Sequence, residues 1–577
     1  MRVMATTDNP EPEAGLGGTK DTEKSAQSKA QRRIAGASGF LMVAVLLSRV
    51  LGLVREHVIS TRFGQGIDTD IYTAAFTVPD LIFFLIAGGG LSAAIIPTFT
   101  QYMNEGRQRE AWRVFKVVAL YTIMVVGVLI LLGEIFATAL IHRTNPGFTS
   151  AEVARCAGLT RILLPAQICF FLGGLMMGIL QTRNNMKGQA FGPLIYNMGI
   201  IIGGLFLTQL MPKGSEIAGL CWGSVAGALL GNLVLQWWLI RRMGGYWAPE
   251  SLRDMLKEPG VKEGALQVWR MMLPIILGVA LPQVSMLMNR YYASTLDKGT
   301  MSALNRGNQL MQVPLGVFGQ AVSIAILPTL AAQFVKKDMA AIRRTANFGL
   351  RFILFLTVPC SLLMIVLAIP IVQLALQGGR YQTVDSVKTA HALSFYALGI
   401  MAWSAQALIS RAFYSMKDTR TPVIVGTLVT FLVFLPLNPP LLAWMGYRGL
   451  ALATSISATV NMFTLFFLLR RRLRGIEGGR LLASVLKIGF ASAVMGAACR
   501  YLYMKTPNYR DVQAVLNAAA RELPAPHLAH ALPHAFQALL LCSAVGLGIY
   551  LAFALLLRMD EISPVRKIIR RLIVRRA

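Results

Sequence analysis

Apolar runs of roughly 20 residues or more, the length a helix needs to cross a bilayer, alternate along this chain with short polar stretches. By that rule about fourteen can be counted. They lie near residues 34–56, 72–100, 115–141, 156–181, 190–211, 217–240, 268–295, 309–333, 347–373, 389–414, 421–444, 447–469, 481–504 and 536–558. The pattern predicts an all-α polytopic membrane protein of about 14 transmembrane helices. Residues 1–33 are polar, mixed in charge and rich in Ala, Gly, Ser and Thr, which predicts a disordered cytoplasmic tail. They lack the basic patch, short apolar core and small-residue cleavage site of a removable signal peptide.

The runs repeat. IIPTFTQYMNEGRQREAWRVFK, from Ile95, is answered by ILPTLAAQFVKKDMAAIRRTANF, from Ile326, and Pro97 and Pro328 stand 231 positions apart. QTRNNMKGQAFGP around Lys187 is answered by YSMKDTRTP around Lys417, at an offset of 230 for the lysines and 229 for Pro193 and Pro422. A near-constant offset across two unrelated motifs marks a duplication. Each repeat holds an even number of spans, so the halves share one orientation and are related by an axis along the membrane normal. The expected organisation is an N-lobe over 34–242 (spans 1–6), a C-lobe over 263–474 (spans 7–12), spans 13 and 14 over 480–558, and a basic cytoplasmic tail over 559–577. Two bundles rocking about a central cavity are the expected machine.

Charge supports this count. The loops after spans 2, 4, 6, 8, 10 and 12 carry the lysines and arginines, whereas the alternate loops are sparse, with Lys213 alone in one and Arg448 alone in another. Basic loops face the cytoplasm, so both termini are expected there. Composition agrees: 577 residues are 55% hydrophobic and 14% charged, which no soluble globular class matches. The net charge of +29 is accounted for by such loops and does not point to nucleic acid. Six cysteines scattered through apolar segments, with no CxxC pair, read as small core hydrophobes.

The candidate chemistry is that of a binding site. No Walker loop, HExxH or GxSxG is present, and no long loop could hold a catalytic domain. His527, His530 and His534 form the one histidine cluster, but Pro526 and Pro533 interrupt it and no Cys or carboxylate joins, so a solvated loop from Thr506 to Pro533 is expected. Ionisable residues within spans say more. Arg49 and Arg55 lie in span 1, six residues apart, and can reach one cavity from successive levels, with snorkelling to the headgroups the alternative for Arg55. The second span is broken by Pro79, Gly88-Gly89-Gly90 and Pro97, as suits a helix facing a cavity. Arg290 and Arg306 stand near span ends, where snorkelling accounts for them. Asp70 follows Thr69 at the start of span 2 and reads as an N-terminal cap, while Glu134 in span 3 has no evident partner. Arginine-rich, carboxylate-poor candidates favour an anionic substrate, because the guanidinium fork suits phosphate and carboxylate.

SRVLGLVREHVISTRFGQGIDTDIYTAAFTVPDL, the IIPTF turn, MQVPLGVFGQAVSIAILPTL and FYSMKDTRTPV together resemble the MurJ (MviN) family of lipid II flippases, in the multidrug/oligosaccharidyl-lipid/polysaccharide superfamily. The resemblance covers spans 1–12. It implies two six-helix lobes around a V-shaped cationic cavity that alternates in access. It also implies that undecaprenyl-pyrophosphate-linked disaccharide-pentapeptide moves from the inner to the outer leaflet for peptidoglycan synthesis. Arg49 and Arg55 match the cavity arginines that would engage the pyrophosphate, Asp70 the acid closing the span 1–2 hairpin, and spans 13 and 14 a groove for the polyprenyl tail. The chain departs from the family where Phe83 and Gln309 stand in place of two further arginines; Arg306, one turn before Gln309, could replace that charge. A sodium-binding Asp of some members is Asn289 here, a weaker hard-cation ligand.

The reading that results is a transporter, not an enzyme, in the bacterial cytoplasmic (inner) membrane. Its partners would be lipid II, membrane lipids and cell-wall synthesis proteins. It would need no cofactor and would be driven by membrane potential or an ion gradient. The alternative is the same fold with another cargo: a different polyprenyl-linked glycan, or amphipathic drugs as in multidrug exporters.

Overall fold

The computed structural model describes residues 43–86, 90–183, 185–245, 250–280, 283–521 and 531–562. The expected tail 1–33, most of the terminal stretch 559–577, and His527 and His530 lie outside the described residues. In chain order, α1 covers residues 43–63. The broken second traverse is α2 (Ile67–Ala75), α3 (Thr77–Ile86) and α4 (Gly90–Asn104). The first lobe ends with α5 (Gln108–Thr144), α6 (Ser150–Thr182), α7 (Lys187–Leu210) and α8 (Ala218–Arg242). The second begins with α9 (Pro259–Ala280) and α10 (Val284–Ser294). It continues through α11 (Thr300–Val335) and α12 (Met339–Val366), then α13 (Ala368–Leu376), α14 (Thr383–Ala397) and α15 (Ile400–Ser415). It closes with α16 (Arg420–Met445) and α17 (Tyr447–Arg472). Appended to it are α18 (Gly478–Lys505), α19 (Pro507–Ala520) and α20 (Ala531–Leu556).

Ten of these, α5–α8, α11, α12, α16–α18 and α20, are individually long and apolar enough to cross a bilayer, and α14 with α15, meeting at 41°, makes an eleventh. The three remaining expected spans coincide with α1, with α2–α4 and with α9–α10. Helix α1 departs from expectation at its end. Apolar character fades at residue 56, yet the helix runs on to Phe63. Its last polar residues are bonded to the other lobe: Ser60 Oγ donates to the Leu376 carbonyl (2.8 Å), and His57 Nδ1 lies 3.1 Å from that of Ala375. Arg49 and Arg55 are therefore well inside a helix and not at its end.

Within the first lobe, α7 and α8 pack backbone to backbone. A Cβ on Gly199 would stand 2.6 Å from the Gly223 carbonyl oxygen, and one on Gly203 2.5 Å from that of Gly219. Small residues four apart on both helices permit this approach in lipid, where dispersion contacts replace the hydrophobic drive. Wide π turns interrupt α7 (Gly203–Leu207), α8 (Leu229–Val234), α11 (Leu315–Gln320) and α16 (Thr430–Phe434). Those in α7 and α16 fall within about one turn of equivalent places in the two repeats. Insertions of this kind bend helices around sites.

The core reveals the shape. One buried apolar cluster runs from the first lobe into the second, joining Ile59, Ile71 and Leu220 to Met301, Leu304, Leu393 and Tyr396. A separate cluster, of Leu330, Leu350, Phe413, Val429 and Leu465, belongs to the second lobe alone. The lobes are thus fused at the end where α1 finishes and distinct at the other. Helix α9, expected in the second lobe, packs on α3, α4 and α5 of the first, and Tyr102 Oη donates to its Gly260 carbonyl (2.6 Å).

Helices α18 and α20 lie against α12 through Ile488, Met495, Tyr550 and Phe355. Arg351 of α12 holds Glu561 (2.5 Å) and Asp560 (2.9 Å) just past α20. The loop expected after α18 contains helix α19, capped by Thr506 with Pro507 in its first turn, a start signal that the proline-interrupted histidines obscured. Asn508 anchors it, donating to Gln373 Oε1 (2.8 Å). His534 pairs with Asp511 at 2.7 Å. Glu134 does have a neighbour, since Arg161 Nε donates to its carbonyl (3.2 Å) and lies 4.0 Å from its carboxylate. Five of the six cysteines are buried.

Candidate functional site

Between the lobes, just inside the fused end, lie two adjoining cavities. One of about 200 Å³ is lined by Arg55, Asp80, Tyr196 and Arg290 among others. The larger, of about 580 Å³, is lined by Asn289, Asn308, Gln312, Tyr396, Trp403 and Thr454 among others. Thr73, Arg290, Asn305 and Gln309 line both. Helices α1, α2, α3 and α7 form one wall, and α10, α11, α14, α15 and α17 the other.

Arg55 is fixed from three sides. Its guanidinium donates to Asn197 Oδ1 (3.0 Å), to Glu56 Oε1 (2.9 Å) and, at 3.5 Å, to Gln309 Oε1 of the opposite lobe. Asn197 is itself oriented by the Pro193 carbonyl, which accepts from its Nδ2 at 3.1 Å. Arg49, about 9 Å further along α1 by helical rise, donates to the Gln312 carbonyl (3.1 Å). The guanidinium rests on Gly316, where a Cβ would approach its Cζ to 2.7 Å. Arg55 thus lines the smaller cavity, whereas Arg49 is held outside both linings, against α11.

The remaining sequence candidates separate. Gln309 and Asn289 line the cavities, and Asn289 Nδ2 lies 3.4 Å from Thr454 Oγ1. Arg306 does not replace the missing charge beside Gln309. It is 2% exposed and turned away, with Nη2 donating to the Gly64 carbonyl (3.1 Å), Nε 3.9 Å from Glu56 and the guanidinium over the Tyr381 ring. Phe83 sits in an aromatic cluster with Phe170 and Phe171. Asp70 caps neither its own helix nor its own hairpin. Its carboxylate accepts from the amides of Gly299 (2.6 Å) and Ser302 (2.7 Å), so it caps α11 across the lobe boundary.

Asp70 belongs to a seal at the fused end. Thr69 meets Ser302 (3.2 Å), Thr389 donates to Gln65 (2.7 Å), the Arg380 amide donates to the Thr61 carbonyl (2.9 Å), and Lys298 pairs with Glu152 (2.8 Å). Gly299 is in the left-handed region (φ +83°), and a Cβ there would stand 2.9 Å from the Gln65 carbonyl. Only glycine meets both conditions.

Sequence reasoning missed one pair. Arg290, dismissed as a span-end residue, projects into both cavities, where its Nη2 donates to Asp80 Oδ2 (2.9 Å) and its Nη1 to Thr77 (3.2 Å). Two ionisable residues in separate spans, each costly to insert alone, were the available signal.

Among solved structures, a lipid II flippase MurJ in an inward closed conformation aligns with a TM-score of 0.71 at 22% identity, covering 90% of this chain and 99% of that one. An inward-facing multidrug-resistance MATE transporter of the MOP superfamily gives 0.57 at 13% identity, covering 76% and 98%. At these identities the likeness concerns the fold. The probable lipid II flippase MurJ of Bdellovibrio bacteriovorus is 30% identical over 476 residues, 81% of this chain and 88% of that protein. The lipid II flippase MurJ of Burkholderia cenocepacia is 29% identical over 455 residues, 76% and 84%. With residues 59–519 matching the family profile described as lipid II flippase MurJ, this multi-pass membrane protein belongs to the MurJ family.

Proposed function

We infer that this chain is a flippase that carries lipid II from the inner to the outer leaflet of the bacterial cytoplasmic membrane by alternating access. The observation that carries the reading is a cavity between two lobes, sealed at one end, into which Arg55 and Arg290 project with Arg49 below. A pyrophosphate-sugar head group cannot cross hydrocarbon unaided, whereas its polyprenyl tail need never leave it. Arg49 and Arg55 would grip the pyrophosphate through charge-assisted, forked hydrogen bonds. Gln309 and Asn289 would meet neutral sugar or peptide groups with amide donors and acceptors.

The basic loops lie at the end away from the seal, which supports a cytoplasmic opening, cytoplasmic termini and an inward-facing state. Driving force would come from the membrane potential, since moving one charge through it is worth about 2.3 kcal/mol per 100 mV. A sodium site at Asn289 is disfavoured by its neutral amide. An exporter of cationic drugs would want a free carboxylate in the cavity, and both carboxylates there, Glu56 and Asp80, are engaged by arginine. Lipid II and membrane lipids are the partners this reading requires, with cell-wall synthases as expected neighbours.

The test is lipid II exposure in bacteria depleted of their own flippase and expressing this chain. An added enzyme that cleaves only outer-leaflet lipid II should recover its product, and growth should resume. Normal insertion with lipid II retained inside, also when the lipid II is that of the native host, would refute the assignment.

A further inference from the structure

The two arginines that line the smaller cavity are each already paired. Arg55 has Glu56 at 2.9 Å on its own helix, and Arg290 has Asp80 at 2.9 Å on the opposite lobe. The second pair is the informative one, because its members stand 210 positions apart and tie α10 to α3 across the cavity. Thr77, one turn before Asp80, adds a second tie to the same guanidinium (3.2 Å). The pair faces open space: Asp80 keeps 30% of its side chain exposed and Arg290 11%.

We propose that Asp80–Arg290 is a cargo-responsive latch, in which Asp80 holds Arg290 while the cavity is empty and an anionic phosphate oxygen of the cargo takes its place. The exchange is chemically matched. Carboxylate and phosphate present similar oxygens to a guanidinium, and phosphate adds charge and further acceptors. Asp80 engages one nitrogen with one oxygen, leaving the fork incompletely used. A flippase must also close on an empty cavity to return, and an unpaired arginine removed from water then costs several kcal/mol. Asp80 and Glu56 remove that cost by standing in for the phosphates. When cargo displaces Asp80, the cross-lobe tie is broken at the moment the lobes must move. Arg290 thereby supplies a cation that Phe83 and Gln309 cannot, from α10, one position after Asn289.

This inference rests on a pyrophosphate-bearing cargo, and its test separates the two. Affinity for farnesyl pyrophosphate, with farnesol as the uncharged control, is measured on the purified full chain. The wild type should bind the pyrophosphate and not the alcohol. Asp80→Asn should tighten binding and Arg290→Gln should weaken it, each by about tenfold, the worth of one charge-assisted hydrogen bond. The double variant should match Arg290→Gln, because Asp80 acts only through Arg290. A purely structural pair predicts the opposite: both single variants would weaken binding, and Asp80→Arg with Arg290→Asp would restore it. Tighter binding cannot arise from misfolding, so the sign in Asp80→Asn decides. Unchanged or weakened affinity there, in a wild type that binds the probe, overturns the latch and leaves the flippase reading standing. A wild type that does not distinguish pyrophosphate from alcohol overturns both.

Discussion

The carboxylate of Asp70 caps a helix it does not belong to. It accepts from the amide of Gly299 at 2.6 Å, so an acid of the first lobe holds the N-terminus of α11 in the second. The positive end of the helix and the orphan amides both favour that carboxylate. The bond crosses the seal between the lobes, so opening this end would have to break it. Asp70→Ala is expected to lose about 1–2 kcal/mol of that closure, the worth of a cap. The shift is read by labelling Ser60→Cys with a membrane-impermeant maleimide from outside. Ser60 is fully buried in the seal, so labelling should rise roughly tenfold for that loss; a rate equal to that of the parent with Ser60→Cys alone would refute the cap's role.

Arg49 and Gly316 make a second testable contact. The guanidinium lies on the π turn of α11 where a side chain would collide with it. Arg49→Ala is expected to abolish transport while membrane insertion and amount are preserved, since the charge is costly to insert and its removal gives up one bond, to the Gln312 carbonyl. Gly316→Val should lower transport in the same direction with Arg49 intact, by pushing the guanidinium off its seat. Normal lipid II exposure in Arg49→Ala at equal protein level would remove this residue from the mechanism.

Close approach of α7 and α8 gives a prediction about stability alone. Gly199→Leu drives a side chain into the backbone of Gly223 and Gly227. Overpacking of this kind costs about 1–3 kcal/mol or more where backbone cannot yield. The thermal midpoint in detergent should fall, whereas Gly127→Leu, with open space around it on α5, should leave it unchanged.

The contrast between Arg49 and Arg290 shows what a sequence holds and what it withholds. Span lengths and the arginines of α1 are local patterns that the bilayer constrains, and the duplication is legible because whole motifs recur at one offset. Pairings such as Asp80 with Arg290, or Asp70 with Gly299, join residues more than 200 positions apart, and no periodicity encodes them. Arg306 misled for the same reason. Its place one turn from Gln309 is a fact of sequence, but the ring of Tyr381 and the carbonyl of Gly64 decide where it points. The end of α1 was misplaced because polar residues there bond to the other lobe and not to water.

Arg351 carries the last prediction, about how the appended helices are held. Its side chain is 10% exposed and that of Glu561 1%, so the pair is largely out of water, with Asp560 outside it at 80%. Arg351→Ala leaves Glu561 buried without a partner, which costs about 3–5 kcal/mol. Replacing both, as Arg351→Met with Glu561→Leu, removes the unpaired charge and should recover most of that loss, since well-packed apolar residues often equal a buried ion pair. Thermal unfolding of the single and double variants measures both steps, and limited proteolysis after residue 556 reports whether the end of α20 has come away. A double variant as unstable as Arg351→Ala would mean that the arginine acts through packing along its aliphatic stem and not through charge.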